Sequence, residues 1–254
     1  MTASDAMLSS EPVTAAILVI GDEILSGRTK DKNIGYIAEY LTNIGIDLRE
    51  VRVVPDIEDE IVAALNALRA KVTYVFTTGG IGPTHDDITA DAVAKAFGVT
   101  IDHDPRAIAM LAERFPPDQL NEARLRMARI PAGAELIANS VSKAPGFIIG
   151  NVHVMAGVPS IMQAMLDVVA PTLRTGVKML SETMRAGLKE GDIGTALAAI
   201  AKAHPETSIG SYPFWSETGP DTNIVVRSRD PGQLADAAAA VAAMIAAEKA
   251  RLAG

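Results

Sequence analysis

The sequence contains no cysteine, and this absence removes several kinds of chemistry at once. Without cysteine the chain can form no disulfide, no thiolate nucleophile and no cysteine-ligated zinc or iron–sulfur site. Any metal ion must therefore be held by oxygen atoms or by histidine imidazoles.

Positive charge in excess and long apolar runs are missing as well. The formal net charge is −8, the pI is near 5.0, and no Lys/Arg block is present, so we expect no nucleic-acid partner. Asp22, Lys71 and His153 interrupt or bound the best apolar runs, which fall short of the roughly 18 residues of a membrane span. Residues 1–12 lack the basic start and apolar run of a secretion signal. We therefore expect a cytoplasmic protein that does not bind membranes.

What is present is the pattern of an α/β protein, and 48% hydrophobic residues are enough for a sizeable core. Short apolar runs predict buried strands at residues 15–20, 46–53 and 72–76. Amphipathic segments between them predict helices, with Asn33 as the cap of the first and Asp56 with Asp59 as a capping box for the second. Repeated strand–helix units predict a doubly wound, mostly parallel sheet.

The rest of the chain predicts a covering segment, a hairpin and a second domain. Two helices are expected within 105–129, and Gly150-Asn151 suits a tight turn between strands at 147–149 and 152–155. The pattern changes near Gly176, where a βαββα order begins that suggests a small ferredoxin-like α+β unit. The predicted organisation is an N-terminal arm (1–13), an α/β domain (14–175) and a small α+β domain (176–254).

Two polar loops follow predicted strands, where an open parallel sheet binds its ligands. The loop 77–89 carries Gly79, Gly80 and Gly82 ahead of a helix start, which favours a phosphate close to backbone N–H groups. Its spacing fits neither the Walker nor the Rossmann glycine motif. A plain tight turn is an equally simple interpretation of the glycines alone.

Carboxylates beside such a cradle indicate a hard cation, because they would otherwise repel the phosphate. Asp86 and Asp87 are the candidate catalytic and metal-binding pair, and Glu23 and Asp22 in the loop after the first strand are further catalytic and metal candidates. Magnesium, manganese or cobalt would suit these oxygens. His85 could contact a phosphate, whereas His153 in an apolar strand is expected to be a core residue.

Five motifs in order resemble the N-terminal domain of the competence/damage-inducible CinA proteins, within the molybdopterin-binding family. They are Gly-Asp-Glu-Ile-Leu at 21–25, Asp31 together with Asn33, Thr-Thr-Gly-Gly-Ile-Gly-Pro-Thr at 77–84 with Asp86-Asp87-x-Thr89, Ala-Pro-Gly-Phe at 144–147, and Gly-Val-Pro at 157–159. The likeness covers residues 14–172 and implies the molybdopterin-binding fold, a homo-oligomer (dimer or trimer) and a phosphorylated ligand, molybdopterin or a nucleotide. It places the ligand contacts at Gly21, Asn33, Thr78, Gly79, Gly80, Gly82, Thr84, Thr89, Pro145 and Gly146. Lys143, beside the last two, is the best candidate cation for the ligand.

The chain also departs from the family pattern. Ala156 stands where a proline is expected, Ile161 where a glutamate is expected, and Ser142-Lys143 in place of Gly-Thr. The deamidase domain found in many CinA proteins does not follow, so we expect no deamidase activity.

Two functions remain open from the sequence. Some CinA-like members are metal-dependent pyrophosphatases acting on ADP-ribose, so this chain could hydrolyse such dinucleotides through a cation held by Asp86 and Asp87. The same loop, with Lys143 as its cation, could instead bind molybdopterin or a nucleotide without turning it over.

Overall fold

The computed structural model describes residues 12–217 and 219–253 and divides the chain into two compact units, one ending at Gly176 and the other beginning at Val177. The predicted N-terminal arm lies outside the described residues up to position 11, and its last residue, Val13, is buried. Within the described part of the chain, no helix combines the length and apolar character needed to cross a membrane.

The first unit is built on a six-stranded sheet with the order β2-β1-β3-β8-β7-β6. Pairs β2/β1, β1/β3 and β3/β8 are parallel, whereas β8/β7 and β7/β6 are antiparallel. The predicted doubly wound, mostly parallel sheet is therefore confirmed. A separate two-stranded sheet is formed by β4 and β5. The strands are β1 (Thr14–Ile20), β2 (Asp47–Val54), β3 (Tyr74–Thr78), β4 (Ile101–His103), β5 (Arg129–Pro131), β6 (Glu135–Ile137), β7 (Gly146–Ile149) and β8 (Val152–Met155).

Helices cover both faces of this sheet, and β1 explains why. Its alternate residues Ala16, Leu18 and Ile20 belong to one core cluster, and Ala15, Ile17 and Val19 belong to the other. A strand with apolar side chains in both directions is stable only when both faces are covered. The helices are α1 (Asp22–Leu25), α2 (Asn33–Asn43), α3 (Glu58–Arg69), α4 (Thr89–Phe97), α5 (Pro105–Ala112), α6 (Glu122–Arg126) and α7 (Pro159–Val169).

Both predicted helix caps are wrong. Asn33 is the first residue of α2 rather than its cap, and Asp31 Oδ1 accepts from the backbone N–H groups of Asn33 (3.1 Å) and Ile34 (2.7 Å). At α3 the cap position is Ile57, which forms no side-chain capping bond. The Asp56 carboxylate turns instead toward the loop after β1, where it accepts from Asp22 N–H at 3.0 Å.

Strand β2 forms one edge of the large sheet and carries charged side chains. Arg52 Nε lies 2.7 Å from Glu50 Oε1, and Arg49 Nη2 lies 3.1 Å from Asp47 Oδ2. Lys71 adds a longer contact, 3.9 Å, to the other Glu50 oxygen. This edge therefore presents ion pairs rather than an apolar ribbon.

The second unit has the predicted βαββα order and an antiparallel three-stranded sheet, β10-β11-β9. Its core is separate, and Ala237, Val241 and Ile245 of the Ala-rich helix belong to it together with Ile224 and Val226. Of the alanines of that helix whose side chains are described, Ala237 and Ala238 are buried, and the others are half-buried or exposed. The elements are β9 (Leu180–Arg185), α8 (Glu190–Ala203), β10 (Ser208–Ser216), β11 (Gly219–Ser228) and α9 (Pro231–Ala253).

Candidate functional site

The carboxyl ends of β1, β2, β3 and β8 meet at one edge of the large sheet because these strands are parallel. The loops that leave them comprise residues 21–32, 55–57, 79–88 and 156–158. Every predicted site residue outside the segment 143–146 lies in or beside these loops. The edge is therefore the candidate functional site.

The glycines of the loop after β3 are required by its own packing. A Cβ on Gly79 would overlap the carbonyl oxygen of Ile20, and one on Gly80 would overlap Thr89 Oγ1, both well inside 3.0 Å. Gly79 and Gly80 also have φ of 102° and 64°, a region that favours glycine. Thr89 is buried and donates from Oγ1 to the Gly79 carbonyl at 2.9 Å. The loop is thus held rigidly against β1 and the start of α4.

Asp86 and Asp87 point to different surroundings. Asp87 Oδ2 accepts from Thr84 N–H (2.8 Å) and Thr84 Oγ1 (2.5 Å), and its side chain lines the large cavity described below. The Asp86 side chain is 63% exposed and lies 3.9 Å from His85, which is itself almost fully exposed. Thr84 therefore holds the Asp87 carboxylate beside the cavity, while its hydroxyl also lowers the pKa of the exposed Asp86 carboxyl.

Asp56 also lies at this edge, although the sequence predicts it only as a helix cap. Burial raises the pKa of the Asp56 carboxyl, and the negative charges of Asp22, Glu23 and Asp86 raise it further, against the lowering effect of the Asp22 N–H. Three carboxylates are thus close enough to raise the pKa of a fourth. A signal was available, because Asp56 follows β2 directly and the carboxyl ends of parallel strands share one edge.

Two adjoining cavities open at this edge. The larger, about 570 Å³, has an apolar wall and two carboxylates, Glu23 and Asp87. The smaller, about 220 Å³, is lined by Asn33, Thr78 and the lysines of the loop after β1. We call them the larger and the smaller chamber. The apolar wall of the larger chamber consists of Phe115, Met127, Val158, Ile161 and Met165, and both chambers are lined by Glu23, Thr29, Gly79, Gly157 and Pro159.

The predicted ligand residues are only partly brought together. Those that line a chamber are Glu23, Asn33, Thr78, Gly79, Gly80, Gly82 and Asp87. Gly21, Asp22, Thr84, Asp86, Lys143 and Gly146 are not among the lining residues of either chamber. Pro145 lines a small cleft beside Gly80 and Gly82. A Cβ on Gly146 would overlap the Val154 carbonyl oxygen, so this glycine allows close pairing of β7 with β8.

The cations at the site differ from the predicted one. Lys143 Nζ is 2.6 Å from Glu113 Oε2, in an ion pair outside the chambers. Arg126 and Arg129 line the cleft that also contains Pro145 and Asp87. Arg126 Nε is buried and has no hydrogen-bond partner among the described residues. No short sequence motif identifies these arginines, because only the tertiary fold brings them close to the glycine loop.

Arg129 has a partner of its own. Its guanidinium holds the Asp91 carboxylate through two bonds of 2.5 and 2.7 Å. Asp91 lies in the first turn of α4, so this pair fixes the start of that helix beside the cleft. In this cleft, Arg126 is therefore a cation whose Nε still lacks a partner among the described residues.

A divalent cation could use only part of the predicted ligand set. In the described ranges, no group of three or more His, Asp or Glu side chains is arranged to hold a metal ion by itself. Asp22, Asp86 and Asp87 are therefore not brought together as a ready cage. Magnesium commonly uses one or two carboxylates and completes its shell with water and substrate phosphates. Glu23 and Asp87 in the larger chamber fit that mode.

His153 lies in the core, as its apolar sequence context predicts. It is buried, stacks on Phe76 with ring centroids 5.1 Å apart, and meets Tyr74 edge-on. Its Nδ1 has no partner among the described residues. Burial lowers the pKa of the imidazole to about 4, so the ring is neutral at pH 7.

Because the pKa of His153 is lowered, we expect the fold to lose stability in acid. Because the pKa of His153 is about 4 when folded and near 6.5 when unfolded, the unfolded chain gains the proton first as the pH falls. Stability should be complete above about pH 6.5 and decline toward pH 4, by at most about 3 kcal/mol from this group. Urea unfolding of wild type and His153→Phe at pH 7, 5.5 and 4.5 measures the difference.

The exposed His85 supplies the control for that measurement. His85→Phe should keep the wild-type pH dependence, because its side chain is 98% exposed. The interpretation fails if His153→Phe loses as much stability between pH 7 and 4.5 as the wild type does.

Comparison with known proteins gives matches for both units. Residues 16–175 match the family described as "Probable molybdopterin binding domain", and residues 178–252 match "FAD synthase, middle domain". A protein of Pyrobaculum calidifontis is 33% identical over 211 residues, 79% of this chain and 80% of the relative. One from Archaeoglobus fulgidus is 31% identical over 197 residues, covering 78% and 84%. The crystal structure of the protein CinA, of unknown function, from Thermoplasma acidophilum is similar with a TM-score of 0.60 and 36% identity, covering 63% of this chain and 96% of that one.

Proposed function

The chain belongs to the molybdopterin-binding domain family, and from that premise we propose that it binds a phosphorylated pterin or nucleotide in the larger chamber and hydrolyses ADP-ribose-like dinucleotides with a divalent cation. The observation that carries the proposal is the pair of carboxylates, Glu23 and Asp87, facing one cavity beside the glycine loop. The cavity volume, about 570 Å³, lies in the range of about 300–1,000 Å³ usual for small-molecule sites.

The phosphate groups have a suitable place beside the glycine loop. The first turn of α4 carries N–H groups without intrahelical partners, and the positive end of its dipole favours an anion. Arg126, whose Nε is unpartnered, lines the same cleft as Gly80 and Gly82. An arginine donates charge-assisted hydrogen bonds to phosphate oxygens. These groups favour one phosphate bound between the loop and α6.

The apolar wall suits the rest of the ligand. Phe115, Met127 and Met165 offer aromatic and thioether surface to a planar heterocycle. Ile161, which replaces the glutamate expected from the family pattern, extends this wall and adds no charge. A pterin and an adenine would both be accommodated by such a surface.

The proposed reaction adds water across the diphosphate. Water attacks one phosphorus, the bond from that phosphorus to the bridging oxygen breaks, and ADP-ribose gives AMP and ribose 5-phosphate with release of protons. Asp87, held by Thr84, and Glu23 would hold the divalent cation, which supplies charge neutralisation and a more acidic water.

One observation favours a second candidate, a module that binds molybdopterin or a nucleotide without turnover. The described residues include no ready three-ligand metal group, and the larger chamber is dominated by its apolar wall. Both candidates use the same chamber, and they differ in whether a cation makes the bound diphosphate reactive.

The wild-type protein distinguishes the two. Incubation with ADP-ribose and magnesium, manganese or cobalt should yield AMP and ribose 5-phosphate, and an excess of EDTA should stop the reaction. Affinity for ADP-ribose is measured in parallel by calorimetry without added metal. Binding with no turnover under any cation would leave the binding module and reject the hydrolase.

A further inference from the structure

The smaller chamber contains two buried oxygen atoms that the fold does not satisfy. Asn33 is 4% exposed and Thr78 is 1% exposed, and both line this chamber. Asn33 Oδ1 and Thr78 Oγ1 have no hydrogen-bond partner among the described residues. Leaving a buried polar atom unpaired is costly, so such a pair in one cavity points to a ligand that completes it.

The orientation of Asn33 is fixed by a backbone group. Its Nδ2 donates to the Gly157 carbonyl oxygen at 2.8 Å, and a carbonyl oxygen can only accept. The amide therefore cannot turn over without placing two oxygens against each other. Oδ1 is left as an acceptor of defined position, which requires a hydrogen-bond donor on the ligand. Thr78 can both accept and donate.

Charged side chains of both signs line this chamber, two lysines and the carboxylates Glu23 and Asp31. Lys30 and Lys32 line the chamber and are exposed, and within the described part of the chain neither forms an ion pair. One oxygen of Asp31, Oδ1, already accepts hydrogen bonds from the first two backbone N–H groups of α2. A ligand that fits has hydroxyl donors at one end and an anionic group at the other.

The chamber volume limits the size of that ligand. At about 220 Å³ it is smaller than the range of about 300–1,000 Å³ typical of drug-sized ligands, whereas the larger chamber falls within that range. One sugar ring with its phosphate is an appropriate size, and a nucleobase with its ribose is not required. Gly157 and Gly79 form part of the divide between the chambers, and a Cβ on Gly157 would lie 3.2 Å from Gly79 Cα. The backbones of Gly157 and Gly79 are therefore closely packed, and side chains larger than glycine at these positions would alter both chambers.

We propose that the smaller chamber is the subsite for the phosphorylated sugar end of the ligand, with Asn33 Oδ1 and Thr78 Oγ1 bonded to its hydroxyl groups and Lys30 and Lys32 beside its phosphate. The assignment rests on the proposed function for the identity of the ligand, and it predicts which half of ADP-ribose lies where. The terminal ribose occupies the smaller chamber and the adenosine occupies the larger one.

Two adjacent threonines provide a matched test. Thr77 and Thr78 are neighbours on β3, both are fully buried, and both have an unpartnered Oγ1, but their side chains alternate across the strand and only Thr78 lines a chamber. Thr78→Val and Thr77→Val each remove a hydroxyl that makes no bond in the protein, so neither should lower the melting temperature. Calorimetric titration without divalent cation then compares ADP-ribose with ADP, which lacks the terminal ribose.

Thr78→Val should weaken ADP-ribose binding by about fivefold to twentyfold and change ADP binding by less than about twofold. Thr77→Val should bind both as the wild type does. Asn33→Ala should repeat the selective loss, whereas Asn151→Ala, which removes an amide that donates to the Arg69 and Val72 carbonyls away from both chambers, should not. Ribose 5-phosphate alone should bind the wild type more tightly than Thr78→Val.

The subsite is overturned if Thr78→Val leaves ADP-ribose affinity unchanged, or if it weakens ADP and ADP-ribose equally. This result does not depend on whether the protein hydrolyses ADP-ribose, because the titrations contain no divalent cation and measure no turnover. If the wild type hydrolyses ADP-ribose but Thr78→Val does not weaken ADP-ribose binding selectively, only the subsite is rejected. If Thr78→Val weakens ADP-ribose binding selectively but the wild type shows no turnover, only the hydrolase is rejected.

Discussion

Asp87→Asn is expected to lower the rate of ADP-ribose hydrolysis by about 100-fold or more, because a neutral amide holds and polarises a divalent cation far more weakly than a carboxylate. The loop should survive the change. An asparagine oxygen can still accept the Thr84 N–H, which lies 2.8 Å from Asp87 Oδ2 in the wild type. Affinity for the diphosphate should fall much less than the rate does, and calorimetry beside the rate assay measures both.

Asp86 provides the matched comparison for this substitution. Asp86→Asn removes the same charge one residue earlier, but that side chain is exposed and does not line the larger chamber. It should retain most of the activity. If the two variants lose activity equally, the separation of the two carboxylates described above does not matter for the reaction.

If the protein only binds its ligand, Asp87→Asn should change the affinity for ADP-ribose in the opposite direction. Removing a negative charge beside a phosphate lowers Coulomb repulsion, so Asp87→Asn would then bind ADP-ribose more tightly without metal than the wild type does. Tighter binding in the variant together with an inactive wild type would favour that second candidate.

Gly79→Ala should destabilise the first unit by about 3–5 kcal/mol, since the new Cβ would overlap the Ile20 carbonyl oxygen and the residue would have to keep a positive φ. Both partners in the clash are backbone, so no side chain can move aside. The β1 and β3 ends would separate, and the chambers that Gly79 lines would change shape. The midpoint of urea unfolding and ADP-ribose affinity should both fall.

Gly35 is the control glycine. It lies in α2 and a Cβ there would meet nothing within 4 Å. Gly35→Ala should therefore raise stability by about 0.5–1 kcal/mol, because alanine is the better helix former. A Gly79→Ala variant as stable as the wild type would contradict the close approach of β3 to β1.

The main sheet could be predicted because its strands carry local signals. The residues of β1 are apolar in both directions, which is typical of a strand covered on both faces, and Gly98 ends α4 in the left-handed conformation that glycine permits. Short elements without such signals were missed. The three residues of β4 pair with β5 across 25 intervening positions, and only the tertiary fold brings them together.

The site was predictable where a residue and its partner share one loop. The glycine loop and Asp87 are local features, and the structure places them on one cavity. Asp56 was misinterpreted because a carboxylate before a helix ordinarily caps it, and here a backbone N–H from a different strand loop competes successfully for that carboxylate. Arg126 could not have been found, because its relation to Gly80 depends on how the covering helices pack.

The charged edge strand β2 has a consequence for the protein when it is concentrated. An edge strand offers unpaired N–H and C=O groups to any extended chain that approaches. A second strand added there would bring further side chains against Arg49, Glu50 and Arg52, whose charges would have to give up water or their present partners. Pairing of two β2 edges from different molecules is therefore disfavoured. We expect the protein to resist self-association through this edge at concentrations where an apolar edge would aggregate.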